Sequence, residues 1–307
     1  MRRLAALAVL SALTLALGAC GDGDPGASPD KPAPAKAPIR IGTKNFTEQF
    51  ILGELYSQAL EAKGFDILRK ADIGSTEITH RALTAGSLDM YPEYIGVLLS
   101  EIADMTNRPR SPAAAYELAK DYEERHNYTL LAPTPFSDVN ALAVKPAYAR
   151  RHKLRSIGDL KRLKGPLRLG ALPEFRNRHE GMIGLRERYG LNNLKMRTLD
   201  DSAQRYPLLD SHKVDLTVAF TTDGQLVGKR YVLLADPRGV FGAGQVAPII
   251  NRDVLDAHGP GLASAIDAVS AKLTTAIVRR MNKAVELDGS KPADVARDFL
   301  RSQGLVG

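Results

Sequence analysis

Apolar positions along the chain switch between two periods. Ile39-Arg40-Ile41-Gly42 alternates at period two and reads as a strand. Residues 47–63 carry Phe50, Ile51, Leu55 and Leu60 at helical spacing and stop at Gly64. Residues 65–73 read as a second strand, 75–85 as a helix stopped by Gly86, and 88–91 as a third strand. This β-α-β-α-β order predicts a mostly parallel sheet covered by helices. The pattern recurs further on. Strands are expected at 167–172, 194–198, 214–220 and 231–235, and helices at 180–189 and 202–211.

Two segments look alike. Leu83-Thr84-Ala85-Gly86-Ser87-Leu88-Asp89-Met90 and Leu209-Asp210-Ser211-His212-Lys213-Val214-Asp215-Leu216 both read as helix end, short turn and apolar–Asp–apolar strand. They fit two similar lobes. Residues 133–144 and 246–250 are expected to be extended segments crossing between the lobes. Residues 261–287 and 292–303 read as helices that return to the first lobe. The expected body is α/β with two lobes, a cleft and a two-strand hinge. Lobe 1 takes 39–139 and 247–307, and lobe 2 takes 140–246. Hinged lobes that close on a ligand are a common switching device.

The first 38 residues read differently. Met1-Arg2-Arg3 is a short basic start, and Leu4 to Leu17 is apolar apart from Ser11 and Thr14. A charged start, an apolar core and small residues before a cut describe a secretory signal over 1–19. Leu17-Gly18-Ala19-Cys20 resembles a lipobox, which implies acylation of Cys20 and a cell-membrane lipoprotein. The alternative is a plain signal peptide with an incidental thiol. Residues 20–38 are rich in Gly, Asp, Ala, Lys and Pro without apolar periodicity, and are expected to form a tether.

Composition narrows the function. Hydrophobic residues are 44% and charged residues 25% of 307, which excludes a disordered chain and a polytopic membrane protein. The single cysteine excludes an internal disulfide and Cys-clustered metal sites. The net charge is +7, or +5 without Arg2 and Arg3, and no run of basic residues suggests nucleic-acid binding. The six histidines lack metal spacing, and nucleophile-elbow and phosphate-loop motifs are absent. Asp200-Asp201 reads as a helix start rather than a catalytic pair. The chain is therefore expected not to be an enzyme and to need no cofactor.

Candidate recognition residues lie where strands hand over to helices. Thr43-Lys44-Asn45 joins the first strand to the first helix, and Ser75-Thr76 opens the second helix. In open α/β sheets such edges bind ligands. Tyr91-Pro92-Glu93-Tyr94 follows at the same edge.

At these residues the chain resembles a known family. Gly42-Thr43-Lys44-Asn45-Phe46-Thr47-Glu48-Gln49, Gly74-Ser75-Thr76 and Tyr91-Pro92-Glu93-Tyr94 look like substrate-binding proteins of osmoprotectant (glycine betaine/carnitine/choline) ABC importers. The similarity continues through Ser156-Ile157-Gly158-Asp159-Leu160, Pro173-Glu174-Phe175, Arg178, Asp201, Tyr206, Val214-Asp215 and Thr221-Thr222-Asp223-Gly224. It implies a type II periplasmic-binding-protein fold and a monomeric extracytoplasmic receptor that passes a small osmolyte to a permease and ATPase on separate chains. The family holds a quaternary ammonium in a cage of tyrosines. Tyr94 falls on one cage position, Asn140 on a second, Phe220 on a third and Gln245 near a fourth. Aromatic faces attract a trimethylammonium that can donate no hydrogen bond. Asn140 and Gln245 offer amides instead, which suit a larger or more polar zwitterion such as a betaine of a modified amino acid.

Several of these residues have two readings. Lys44 is either a solvated charge or a ligand contact. Arg178 either pairs with Glu174 or reads a ligand carboxylate. Tyr206 packs beside Leu209 or lines the pocket, and Phe220 ends an apolar strand or faces the ligand. Thr222 and Asp223 cap a helix or touch the ligand. Glu93 is structural or exposed. The basic stretch with Arg150, Arg151, Lys153 and Arg155 is a solvated face, or touches the permease or lipid headgroups.

Overall fold

The first apolar alternation becomes a central strand: Ile39 and Ile41 of β1 (Ile39–Gly42) are fully buried. The computed structural model describes residues 36–105, 109, 111–200 and 202–307. The signal, lipidation and most of the tether expected before residue 36, Cys20 included, lie outside the described residues, as does Asp201. Lys36–Gly307 forms one compact unit.

Among the described residues, two five-stranded sheets organise this unit. In lobe 1, β1 pairs in parallel with β2 (Ile67–Lys70) and β3 (Met90–Tyr94). The late strand β10 (Val246–Asn251) runs antiparallel between β3 and β4 (Tyr128–Leu130). In lobe 2, β6 (Leu167–Ala171) is parallel to β7 (Leu194–Thr198) and β8 (Leu216–Phe220). There β5 (Asn140–Val144) runs antiparallel to β8 and to β9 (Val232–Leu234). Each sheet thus has the expected parallel core, and the chain that crosses between lobes enters each sheet antiparallel.

Helices α1 (Thr47–Glu61), α2 (Thr76–Thr84), α3 (Ile95–Val97) and α4 (Pro112–Glu124) belong to lobe 1. Lobe 2 carries α5 (Pro146–His152), α6 (Met182–Tyr189) and α7 (Arg205–Asp210). After β10 come α8 (Arg252–His258), α9 (Pro260–Ser270), α10 (Thr275–Glu286) and α11 (Pro292–Ser302). Leu262, Ile266, Val278 and Leu300 from these last helices pack with Ile39, Leu52 and Leu55, so the C-terminal part returns to lobe 1 as expected. Leu83, Tyr91, Leu98 and Ile249 form the core on the other face of that sheet. In lobe 2, Leu142 and Val144 of β5 join one core while Ala143 between them joins another, the two-residue alternation of a strand covered on both faces.

Three sequence expectations shift. The third strand covers 90–94, not 88–91, and runs through Pro92. Pro92 sits opposite Pro248 in register, so neither strand is asked for an N–H at that pair. The Pro92 carbonyl accepts instead from Gln49 Nε2 at 3.0 Å, and the Pro248 carbonyl from the Leu131 N–H at 2.9 Å. The expected helix over 261–287 breaks at 271–274 into α9 and α10, which meet at 83°. Thr274 caps the second piece by accepting from the Ile277 N–H at 3.4 Å. Residues 202–204 form a tight single turn before α7.

The two look-alike segments do the same work in both lobes. Asp89 accepts from the backbone N–H of Arg40 at 2.7 Å and from its guanidinium. Asp215 accepts from the backbone N–H of Arg168 at 2.8 Å and from its guanidinium. In each lobe this ties the lead-in of one strand to its parallel neighbour.

Two chain segments join the lobes. They are paired by the Asp138 N–H to the Gly244 carbonyl at 2.8 Å, the Thr134 N–H to the Val246 carbonyl at 2.8 Å, and a bridge between Ser137 and Gln245. Gly244 is required here, because a Cβ would collide with the Asp138 carbonyl.

Candidate ligand-binding cleft

A cleft of about 890 Å³ opens between the lobes. Ser75, Thr76, Gly96 and Val97 border it from lobe 1, and Arg178, Glu180 and Arg238 from lobe 2. Of the residues expected to contact ligand, the structure places Ser75, Thr76 and Arg178 on this wall. Arg178 is exposed in the loop before α6, and Glu77 across the cleft feels its charge. Ser75 is exposed and donates to Glu77 Oε2 at 2.5 Å, which is the first reason the Glu77 carboxyl lies below its usual range.

Lys44 lies just behind that wall. It is 3% exposed, so the solvated-charge reading does not hold. Its Nζ is 2.5 Å from Glu93 Oε1 and 3.0 Å from Thr76 Oγ1. A buried ammonium needs such partners to be tolerated. The same ammonium lies 4.5 Å from the Tyr94 ring centroid and 5.9 Å from that of Phe46. Glu93 is 1% exposed, which removes the surface reading; it also accepts from the Tyr94 N–H at 2.6 Å and the Tyr91 hydroxyl at 3.1 Å.

Tyr94 is 4% exposed, and its hydroxyl donates to Glu48 Oε1 at 2.6 Å. Burial, then the Glu48 carboxylate, hold the phenol well above its usual range. Burial also raises the Glu48 carboxyl, while hydrogen bonds from Thr222, Tyr94 and Asn282 oppose that rise. Thr43 turns inward: its hydroxyl accepts from the Asp72 N–H at 3.2 Å, and its methyl fills the space that the missing Cβ of Gly53 leaves. Asn45 is exposed on the turn before α1.

Lobe 2 gathers a second cluster around Arg205. Its two terminal nitrogens reach the two oxygens of Asp223, each at 3.0 Å. The Tyr206 hydroxyl donates to Asp223 Oδ2 at 2.6 Å and the Phe220 N–H to the same oxygen at 2.8 Å. Asp223 therefore serves neither as a helix cap nor as an open acceptor; its side chain is consumed by Arg205 and Tyr206. Burial, then the Asp223 carboxylate, push the Tyr206 phenol far up. Thr222 is buried, and its carbonyl accepts from Asn282. Phe220 is the exception. It is 36% exposed, and the Arg205 guanidinium lies 4.8 Å from its ring centroid.

Asn140 and Gln245 sit at the crossings. Asn140 opens β5 opposite Phe220, and Gln245 Nε2 donates to the Thr134 carbonyl at 2.9 Å. Beside them Asp138 is held well above the usual carboxylate range by burial and then by the Glu48 and Asp223 charges.

The structure thus brings together Lys44, Thr76 and Tyr94 in one group and Tyr206, Phe220 and Asp223 in another, with Asn140 and Gln245 at the crossing segments. Sequence reasoning missed Arg205, Glu48 and Phe46. Glu48 and Phe46 stood inside a quoted motif. Arg205 adjoins Tyr206, but nothing local announces an ion pair 18 residues away.

A family model described as the substrate-binding domain of ABC-type glycine betaine transport systems matches residues 37–302. The glycine-betaine-binding protein of Pseudomonas aeruginosa is 31% identical over 279 residues, covering 87% of this chain and 88% of its own. The glycine betaine-binding protein YehZ of Escherichia coli is 28% identical over 284 residues, 89% and 93% of the two chains. The solved apo form of YehZ matches with a TM-score of 0.73 at 27% identity, over 88% of this chain and 100% of that one. A crystal structure of a glycine betaine/carnitine/choline ABC transporter shares the fold with a TM-score of 0.79 at 22% identity, over 87% and 99%.

Proposed function

The chain belongs to the substrate-binding domains of ABC-type glycine betaine transport systems, and from that premise we propose that it captures a quaternary-amine or zwitterionic osmolyte between its lobes and delivers it to its permease. Its fold is the two-lobe type II periplasmic-binding-protein fold. Members of the family act outside the cytoplasm and work with an ABC permease. In our reading the chain itself carries out no chemistry, acts as a monomer, and is tethered by a lipid on Cys20.

The observation that carries this reading is the 890 Å³ cleft, with Ser75 and Thr76 on one wall and Arg178 on the other. Arg178 is the group to read a ligand carboxylate in two-pronged fashion. Phe220, with its ring partly open, is the group to meet an onium head. Lys44, Tyr94, Asn140 and Gln245 complete the inner surface when the lobes close. Closure draws its free energy from ligand contacts that only the closed form makes.

A second reading concerns the ligand's size and polarity. The ammonium of Lys44 already lies against the Tyr94 ring, and 890 Å³ is toward the upper end of the roughly 300–1,000 Å³ typical of small-molecule pockets. Both favour a ligand larger or more polar than glycine betaine.

Isothermal titration of the purified chain against glycine betaine, choline, carnitine and bulkier betaines tests both readings. One saturable site for a quaternary amine is expected. Binding confined to ligands without a quaternary nitrogen would reject the amine receptor. Preference for glycine betaine over every bulkier betaine would reject only the second reading.

A further inference from the structure

Charge is divided unevenly between the lobes. Residues 140–245 hold twenty Lys and Arg against ten Asp and Glu, whereas 39–139 and 246–307 hold eighteen against twenty-two. The excess is concentrated: residues 145–168 contain nine Lys and Arg and one acid, Asp159. Asp159 is occupied by Arg162 and by the backbone N–H groups of Arg155 and Ser156. Lys145 pairs with Asp210, and Arg168 with Asp215. Arg150, Arg151, Lys153, Arg155, Lys161 and Lys164 are all exposed, and among the described residues no ion pair takes any of them.

Sheet direction fixes where this patch lies. β5 leaves the hinge at Asn140, level with Phe220, and delivers the chain to α5 beyond Val144. β6 begins at Leu167 at that same far end and runs back toward the cleft, which Arg178 borders. The patch therefore spreads from the pole of lobe 2 opposite hinge and cleft, about 17 Å away along five-residue strands, where Arg150, Arg151, Lys161 and Lys164 lie, to Arg155, whose carbonyl accepts from the Ala235 N–H level with Ala141 and so nearer the hinge. Cations at that distance do not read the ligand. A permease receiving ligand must face the cleft mouth, which leaves the far pole free for another contact.

We propose that this pole of lobe 2 is a docking surface for the anionic phospholipid headgroups of a membrane. A surface of one sign, with its acids already consumed, has no internal use for six further cations, and their mutual repulsion is relieved beside a negative surface. Juxtaposed basic residues are drawn to anionic leaflets over about a Debye length, near 8 Å at physiological salt. Only the choice of lipid over permease borrows from the function proposed above, namely that ligand leaves through the cleft.

The test is co-sedimentation of the full chain with phosphatidylcholine vesicles and with vesicles carrying about one-third phosphatidylglycerol. The leader, with Arg2 and Arg3, is common to the wild type and both variants, so what is read is the difference between these proteins in their increment on anionic vesicles. The wild-type increment is expected to be at least ~5-fold at low salt and to vanish near ~0.5 M NaCl. The variant Arg150→Gln/Arg151→Gln/Lys161→Gln/Lys164→Gln should lose most of it. The lobe 1 variant Lys63→Gln/Arg81→Gln/Lys272→Gln/Arg280→Gln should keep it. Both should retain the wild-type circular dichroism spectrum and ligand titration, which separates failure here from failure of the receptor reading. No increment for the wild type, or equal loss in both variants, overturns the proposal. So does an unchanged increment in the lobe 2 variant accompanied by loss of permease co-purification, which would assign the patch to protein contact.

Discussion

Asn282 of α10 donates from one amide nitrogen to Glu48 Oε2 at 2.9 Å and to the Thr222 carbonyl at 3.0 Å, so a lobe 1 helix grips a lobe 2 loop beside the hinge. The neighbouring contacts agree. Arg279 Nε donates to the Thr221 carbonyl at 2.6 Å, and Gly224 rests on the Lys283 backbone, where a Cβ would come within 2.6 Å of Cα. The Thr221-Thr222-Asp223-Gly224 stretch is thus a joint between the lobes. Asn282→Ala should cost about 2 kcal/mol, because it strips a donor from a buried carboxylate. Urea unfolding measures it. A change within error would mean that water fully replaces the amide.

The Arg205–Asp223 pair is buried and two-pronged, with side chains 10% and 6% exposed. Removing one partner strands the other, which costs about 3–5 kcal/mol. Arg205→Met should therefore be severely destabilising, and Asp223→Asn in that background should recover part of the loss. A double-mutant cycle decides the matter. Additive single and double effects would sever the proposed dependence of Asp223 on Arg205.

The fold was largely legible because its signals are local. Gly64 and Gly86 mark helix ends, and the apolar–Asp–apolar segments announced Asp89 and Asp215, each seated on an arginine of the neighbouring strand. The break before α10 also had a local signal, Thr274 as a cap, overlooked because the apolar period runs on either side. The site was less legible because its decisive pairs are distant in sequence. Lys44 meets Glu93 49 residues away, and Asn282 meets Glu48 across 234. A lysine on a strand–helix turn looks solvated until the fold supplies a buried carboxylate. The same holds for Asp223, which has the sequence position of a cap and the partners of an ion pair.

Phe220 is the most exposed of the rings proposed to face the ligand, which makes it the ring to probe. Phe220→Ala also removes the buried part of the ring and its contact with Arg205, so the melting temperature should fall as well and affinity is compared at a temperature where both proteins are folded. A cation–π contact is worth about 0.5–2 kcal/mol, so the dissociation constant for a quaternary amine should rise roughly 2- to 30-fold. Phe220→Tyr should retain affinity. Titration calorimetry reads the change. Equal affinity in the alanine variant would remove Phe220 from the site.

Glu123 supplies a prediction with a definite sign. Its carboxylate is fully buried, and neither oxygen has a hydrogen-bond partner. His80 Nε2 stands 3.9 Å from Oε1, and burial holds His80 below its usual range, so it is a poor counter-charge. Burial, then the charge of Glu93, push the Glu123 carboxyl up from 4.5 to about 7. Between those values the folded chain holds a proton that the unfolded chain has lost. Stability from this group is therefore complete below pH ~4.5 and falls as pH rises through ~7, by about 3 kcal/mol in all. Glu123→Gln keeps the shape and removes the ionisation. Its stability relative to wild type should be flat at acid pH, climb across the window, and level off above it. Urea titrations at a series of pH values give that difference directly, with the opposing contribution of His80 cancelling between the two proteins. A difference that does not vary with pH would mean that Glu123 ionises in the folded chain as it does in the unfolded one.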